Sequence, residues 1–132
     1  ADAAAWLEAS GRQEPETHFA IASATELVGG IGLELQEDVH RHSAEIGYWL
    51  GEPFWGRGIA TRAVRALTDW AFAQFPLVRI YARVFSSNPA SARVLKKCGY
   101  LLEGRCRRAV HKDGVWLDEL IHARLKPGAF FP

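Results

Sequence analysis

The chain has 132 residues and a net charge of +1, sixteen Lys and Arg against fifteen Asp and Glu, so it carries no bulk attraction for nucleic acid or an anionic membrane surface. It is 48% hydrophobic and 11% aromatic, which excludes a disordered chain and suits one folded domain over residues 1–132. No apolar run approaches the ~20 residues of a membrane span, and no signal peptide is expected at the start.

Ala1 to Ser10 is expected to form the last turns of a helix, with Ala3, Trp6 and Leu7 apolar and Gly11 as its stop. Phe19–Ala22 reads as a short strand. Leu27–Gln36 reads as a second, after a turn at Ala24-Thr25-Glu26, and its Gly29, Gly30 and Gly32 suggest a bulge or a close backbone approach. A polar loop over residues 37–43 leads to a third strand, Ala44–Leu50, and the three form a meander. Pro53 stops that strand from continuing. Gly56 and Gly58 then lead into a helix, where Ala63, Val64, Leu67, Trp70, Ala71 and Phe75 recur at helical period until Pro76.

Arg79–Phe85 is predicted as a strand with Ile80, Ala82 and Val84 on one face. Asn88 and Pro89 suit the N-cap and first position of a second helix, whose stripe is Val94, Leu95 and Cys98 and whose stop is Gly99. Two last strands meet at Asp113-Gly114, the strongest hairpin signal in the chain. Pairing across that turn sets Val110 opposite Leu117, Arg108 opposite Glu119 and Cys106 opposite Ile121. The order predicts an α/β (α+β) fold: a mixed, mostly antiparallel central sheet flanked by helices. The link from Leu50 to Ile80 is expected to be a right-handed parallel crossover.

The chemistry concentrates in the loop before the first long helix. Missing side chains at Gly56 and Gly58 bare backbone N–H groups at a helix N-terminus, where the macrodipole already favours an anion. A phosphate cradle and a plain structural turn both account for these glycines. The loop is not a Walker A, since no Gly-Lys-Ser/Thr closes it, and it lacks the third glycine of a dinucleotide fingerprint.

Trp55-Gly56-Arg57-Gly58-Ile59-Ala60 resembles the acyl-CoA pyrophosphate loop of the Gcn5-related N-acetyltransferases, written Gln/Arg-x-x-Gly-x-Gly/Ala. Gly58 and Ala60 match its fourth and sixth positions, and Trp55 departs from its first. Asn88-Pro89-Ala90-Ser91 with Arg93 to Tyr100, and the terminal hairpin from Glu103-Gly104 to Asp118-Glu119, resemble later segments of the family. Many members carry a tyrosine acid where Leu95 stands here. The branch that acetylates N-terminal amines of ribosomal proteins has a serine at the place of Ser91, and Trp55 also resembles that branch. Members begin with a strand and a helix ahead of this region, and both look missing.

The resemblance implies an N-acetyltransferase taking acetyl-CoA as co-substrate and a primary amine as acceptor, above all a protein N-terminal α-amine. A small amine (polyamine, antibiotic or amino-acid analogue) and a CoA-binding module without turnover are the alternatives. A monomer or homodimer is expected, and the near-neutral charge and the lack of metal-ligand spacing lead us to expect no nucleic-acid or membrane partner and no metal. The CoA pyrophosphate would lie on Trp55, Gly56, Arg57, Gly58, Ile59, Ala60 and Thr61. The pantetheine arm would run along the strand end at Trp49 and Leu50, with a backbone N–H near Leu50 as oxyanion donor. Asn88 would hold the arm, although its capping role explains it nearly as well. Ser91 would donate to the departing sulfur, or be a helix serine facing water.

Glu45 is the candidate base, because strand alternation puts it on one face with Gly47 and Trp49 and Gly47 leaves space beside it. A salt bridge at a strand start is the competing account. Asp118 and Glu119 are rivals, with Arg108 as the expected partner of Glu119. His40 and His42 lack a third ligand for a metal site. Arg105, Arg107, Arg108 and Lys112 read as a solvated strand face, and Trp6, Trp70 and Trp116 as packing. Cys98 reads as a small core residue. Both it and Cys106 are expected to be free, reduced thiols in a cytoplasmic protein.

Overall fold

A computed structural model of the chain describes residues 6–9, as backbone only, and 17–128. Its strands are β1 (Trp6–Ala9), β2 (His18–Ala22), β3 (Leu27–Leu35), β4 (Ser43–Leu50), β5 (Arg79–Phe85), β6 (Leu101–Lys112) and β7 (Val115–Leu125). Helix α1 (Ile59–Gln74) links β4 to β5, and α2 (Pro89–Lys97) links β5 to β6. One sheet holds all seven strands in the order β1-β2-β3-β4-β5-β7-β6. Only β4 and β5 run parallel, which is the crossover expected from a strand, a helix and a strand in sequence.

Period-2 alternation gives each central strand one apolar side. Ile31 and Leu33 on β3, Ala44 and Ile46 on β4, and Ile80, Ala82 and Val84 on β5 are all buried in one cluster. The buried stripe of α1 joins the same cluster through Ile59, Ala63, Val64, Leu67, Ala71 and Phe72. Burying the larger of these, Ile59, Val64, Leu67 and Phe72, stabilises by roughly 1.5–3 kcal/mol each, which ties α1 to the sheet beneath it. Trp70 makes edge-to-face contacts with Phe19 and Phe75 at 5.3 and 5.5 Å. Thr68, within this core, hydrogen-bonds the Tyr100 hydroxyl at 2.7 Å, and burial pushes that phenol up to about 12. Helix α2 ends as its glycine predicts: Gly99 has φ +86°, and the Gly99 and Tyr100 amides donate back to Lys96 and Leu95.

Two expectations are corrected. Trp6–Ala9 is a strand paired antiparallel with β2, Trp6 opposite Ala22, and not part of a helix. Leu7, Glu8 and Ala9 are good helix formers, but pairing to a ready sheet edge overrides that preference. The rest of the expected helix and its stop at Gly11 lie outside the described residues. In the terminal hairpin the pairing of Val110 with Leu117 holds, but a bulge between Cys106 and Val110 shifts the pairs beyond it. Cys106 therefore faces Glu119, and Gly104 faces Ile121. The bulge centres on Arg108, at φ 52°, whose amide donates to Asp118 Oδ1 at 2.8 Å. That bond, then the Arg105 guanidinium, holds the Asp118 carboxyl below the usual range. The glycines of β3 mark a close approach: a Cβ on Gly30 would lie 2.6 Å from the Trp49 indole nitrogen, and one on Gly32 would meet the His18 ring.

Candidate functional site

The parallel ladder between β4 and β5 holds only from Ser43/Arg79 to Glu45/Tyr81, although both strands run on. Beyond Glu45 the two strands part. The Gly51 amide bonds the Val28 carbonyl, so odd-numbered residues here turn their backbone groups toward β3. By alternation Tyr48 and Leu50 turn theirs toward β5, into the gap. Their amides face the gap beyond the last rung of the parallel ladder. The Leu50 carbonyl accepts from the Trp55 indole N–H at 2.8 Å, which pins the glycine loop to the strand end.

The gap opens into a cavity of about 550 Å³ lined by Tyr48, Trp49, Leu50, Trp55, Asn88 and Ser91 among others. A second cavity of about 200 Å³ continues over the glycine loop, where Gly56, Gly58, Ile59, Ala60 and Thr61 face Arg93 and Lys97 of α2. Among the described residues its lining holds two cations and no carboxylate. Gly56 and Gly58 both sit at φ +75°, and Gly58 caps α1 without any side-chain bond. A side chain at either position would be strained by about 1–2 kcal/mol, so the bare loop is built by left-handed glycines. Arg57 stacks its guanidinium over Phe54 at 5.7 Å, which fixes the loop's outer side.

Across the gap, Asn88 caps α2 by accepting the Ser91 amide at 3.1 Å. The Ser91 hydroxyl does not simply face water. It lies 2.6 Å from the Tyr48 hydroxyl, which also reaches the Ser91 carbonyl at 3.3 Å. Tyr48 is half-buried, and burial pushes its phenol up. Tyr48 was not among the residues expected at the site; its place one residue before Trp49, on the inward side of β4, was the available signal.

The opposite face of the sheet carries the carboxylates. Glu45 shares it with Gly47 and Trp49, as alternation predicts, and nothing lies within 4 Å of where a Gly47 Cβ would stand. Glu45 Oε2 is 3.6 Å from Arg83 Nε, and Glu119 Oε1 is 3.8 Å from Arg83 Nη1. Glu119 therefore pairs with Arg83 rather than Arg108. The Glu45 carboxylate raises the Arg83 guanidinium further above its ordinary range. Glu34 lies directly opposite Glu45 on β3 and contacts His18 Nε2 at 3.0 Å. An open pocket of about 330 Å³ lies between His18, Gly32, Glu34, Glu45 and Gly47. Asp118 is tied up by Arg105 and the Arg108 amide.

The remaining candidates separate. Cys98 is buried, its Sγ donating to the Thr61 carbonyl at 3.3 Å, and burial pushes the thiol up; Cys106 is exposed. Trp70 packs as expected, but Trp116 is 60% exposed and stacks on His111 instead. Lys112 leaves the solvated basic run, crosses the Phe85 ring at 5.1 Å and joins the lining of the larger cavity. Among the described residues no group of three or more His, Cys, Asp and Glu is placed to hold a metal ion.

Residues 1–101 match the acetyltransferase (GNAT) domain. The chain belongs to the GNAT acetyltransferase family. It is similar to the probable N-acetyltransferase YjcK of Bacillus subtilis (strain 168), 39% identical over 117 residues, 87% of this chain and 65% of that protein. It is also similar to the ribosomal-protein-serine acetyltransferase of Escherichia coli (strain K12), 33% identical over 107 residues, covering 81% of this chain and 59% of the other. Among solved structures, RimL, a ribosomal L7/L12 α-N-protein acetyltransferase in complex with coenzyme A, superposes at TM-score 0.76 with 28% identity. That match covers 82% of this chain and 60% of RimL. The ribosomal-protein-S5-alanine acetyltransferase of Vibrio fischeri superposes at TM-score 0.78 with 26% identity, over 84% of this chain and 62% of the other. The GNAT chain thus spans about 59–65% of the length of these relatives.

Proposed function

We propose that this chain is an acetyl-CoA-dependent N-acetyltransferase whose acceptor is a protein N-terminal α-amine. The observation that carries the reading is the parting of β4 from β5 beyond Glu45, with the glycine loop directly past the gap. The amides of Trp55 to Thr61, at the N-terminus of α1, would take the CoA pyrophosphate, and Arg93 and Lys97 would add charge to that phosphate end. The bare backbone of Tyr48 to Leu50, with Trp49 between them, would pair with the pantetheine arm, and Asn88 would border it. The thioester carbonyl would then meet the Leu50 N–H.

The acceptor would approach from the carboxylate face. An amine must be neutral to attack, and an α-amine with a pKa of roughly 8 is partly neutral at pH 7, whereas a lysine near 10.4 is almost wholly charged. A modest base therefore suffices. Glu45, beside the open space at Gly47, would accept the amine's proton directly or through water, with Glu119 as the rival on the same guanidinium. As the carbon–sulfur bond breaks, its electron pair goes to sulfur, and Ser91 would donate to the thiolate.

The adjacent carboxylates Glu34 and Glu45 favour a second reading, a cationic polyamine as acceptor. Incubating the protein with acetyl-CoA and either short peptides with free N-termini or polyamines, followed by mass spectrometry, separates the two. A gain of one acetyl group on the peptide α-amine is the expected result. Acetylated polyamine alone would transfer the assignment to small amines. Acetyl-CoA binding without any product would leave a CoA-binding module.

A further inference from the structure

The larger cavity holds a hydroxyl pair, Tyr48 and Ser91, brought together from β4 and α2 across 43 residues of sequence. We propose that Tyr48 is a positioning residue for the leaving thiolate: its phenol donates to Ser91 Oγ and so frees the Ser91 hydrogen for the departing sulfur. This rests on the acetyl-transfer reading.

The pair has one phenol hydrogen and one serine hydrogen to place. The phenol has two acceptors within reach, Ser91 Oγ at 2.6 Å and the Ser91 carbonyl at 3.3 Å. At 2.6 Å either hydroxyl can be the donor; the relay is the arrangement in which the phenol donates to Oγ, the closer of its two acceptors. Were it otherwise, Ser91 would point its own hydrogen at the phenol oxygen and offer the cavity none. The Ser91 amide cannot compensate, because it is already given to Asn88 Oδ1. Both hydroxyls line the same cavity as Leu50 and Asn88, where the thioester would sit.

A serine hydroxyl is too weak an acid to lose its proton alone, so its transfer to sulfur needs a donor behind it. In the balanced step the carbon–sulfur bond breaks with its pair going to sulfur, the Ser91 hydrogen bonds to sulfur, and the Tyr48 hydrogen shifts onto Ser91 Oγ. The phenolate regains a proton from water, matching the proton the amine releases through its base. Burial pushes the Tyr48 phenol up, so it is protonated and able to donate at pH 7.

The test is a double-mutant cycle on kcat with one fixed amine, using Tyr48→Phe, Ser91→Ala and the pair. Each single change is expected to lower kcat by about tenfold, and the pair by about tenfold as well, since both remove one relay. The dissociation constant for acetyl-CoA, measured by calorimetry, should move by no more than about threefold. The solvent deuterium isotope effect on kcat should shrink equally in all three variants. Wild-type kcat in Tyr48→Phe, losses that multiply to about a hundredfold in the pair, or a loss confined to acetyl-CoA affinity would each overturn the proposal. Failure of the underlying reading looks different: wild-type protein that binds acetyl-CoA yet acetylates no amine removes the reaction and the relay together.

Discussion

The two faces of the sheet at the β4–β5 gap are built in opposite ways. On the helix side the site is made of backbone and short-range chemistry: amides bared by Gly56 and Gly58, a cap at Asn88, and cations from one helix. On the other face, Glu34, Glu45, Arg83 and Glu119 come from four strands and meet only because the sheet lays them side by side. The first arrangement suits a polyanion whose shape never varies. The second is open, partly exposed and easily altered by single substitutions, as would suit a variable acceptor. A co-substrate site can be local in sequence; an acceptor site on a sheet face cannot.

The largest expected effect falls on the helix side. Gly58→Glu forces a side chain into a left-handed backbone and sets a carboxylate where phosphate would lie. Losing two charge-assisted bonds of about 2 kcal/mol each lowers CoA affinity by about a thousandfold, against a folding cost of only about 1–2 kcal/mol. Calorimetry on the folded variant reads the first, and urea melts the second. Unchanged affinity would dissolve the contrast between the faces.

The next effect belongs to the carboxylate face. Glu45→Gln should lower kcat by about a hundredfold while acetyl-CoA affinity stays within about threefold. Glu119→Gln, at the other side of Arg83, should leave the pH–rate profile in place. If the two variants exchange these outcomes, Glu119 is the base and Glu45 serves to hold Arg83.

Two smaller effects should touch neither face. Thr68→Val strands the buried Tyr100 hydroxyl, costing about 2 kcal/mol of stability with kcat unchanged. His122 is buried, its Nδ1 has no partner among the described residues, and burial holds its pKa below the ordinary 6.5. The unfolded chain therefore takes up this proton first, so this contribution is present above pH 6.5 and is lost as pH falls toward the folded pKa. Urea midpoints at about pH 7.5 and about pH 5 should show the decline, and His122→Leu should flatten it.

Legibility in the sequence divides along the same line. The glycine loop, the Asn88 cap, the Gly99 stop and the turn at Asp113-Gly114 are written in adjacent residues, and each stands where its local chemistry predicts. Glu45 and Gly47 were legible through alternation alone. Arg83 as the shared partner of Glu45 and Glu119 was not, because strand order decides it. Alternation could have shown Tyr48 facing inward from β4, but its meeting with Ser91 on α2, 43 residues on, is not encoded locally. The bulge at Arg108 turns on an Asp118 carboxylate ten residues away, so the turn set the first pairs correctly and the rest slipped. Trp6–Ala9 shows the reverse case, where a local helical preference yields to an available sheet edge.

The central claim is that acyl-CoA lies through the β4–β5 gap with its phosphates on the glycine loop. Titrating isotope-labelled protein with acetyl-CoA and following backbone amide resonances tests it directly. The largest shifts are expected at Trp55 to Thr61 and at the gap-facing amides of Tyr48 and Leu50, with β1 to β3 little changed. Shifts centred on Glu34, Glu45 and His18, with the glycine loop silent, would contradict it.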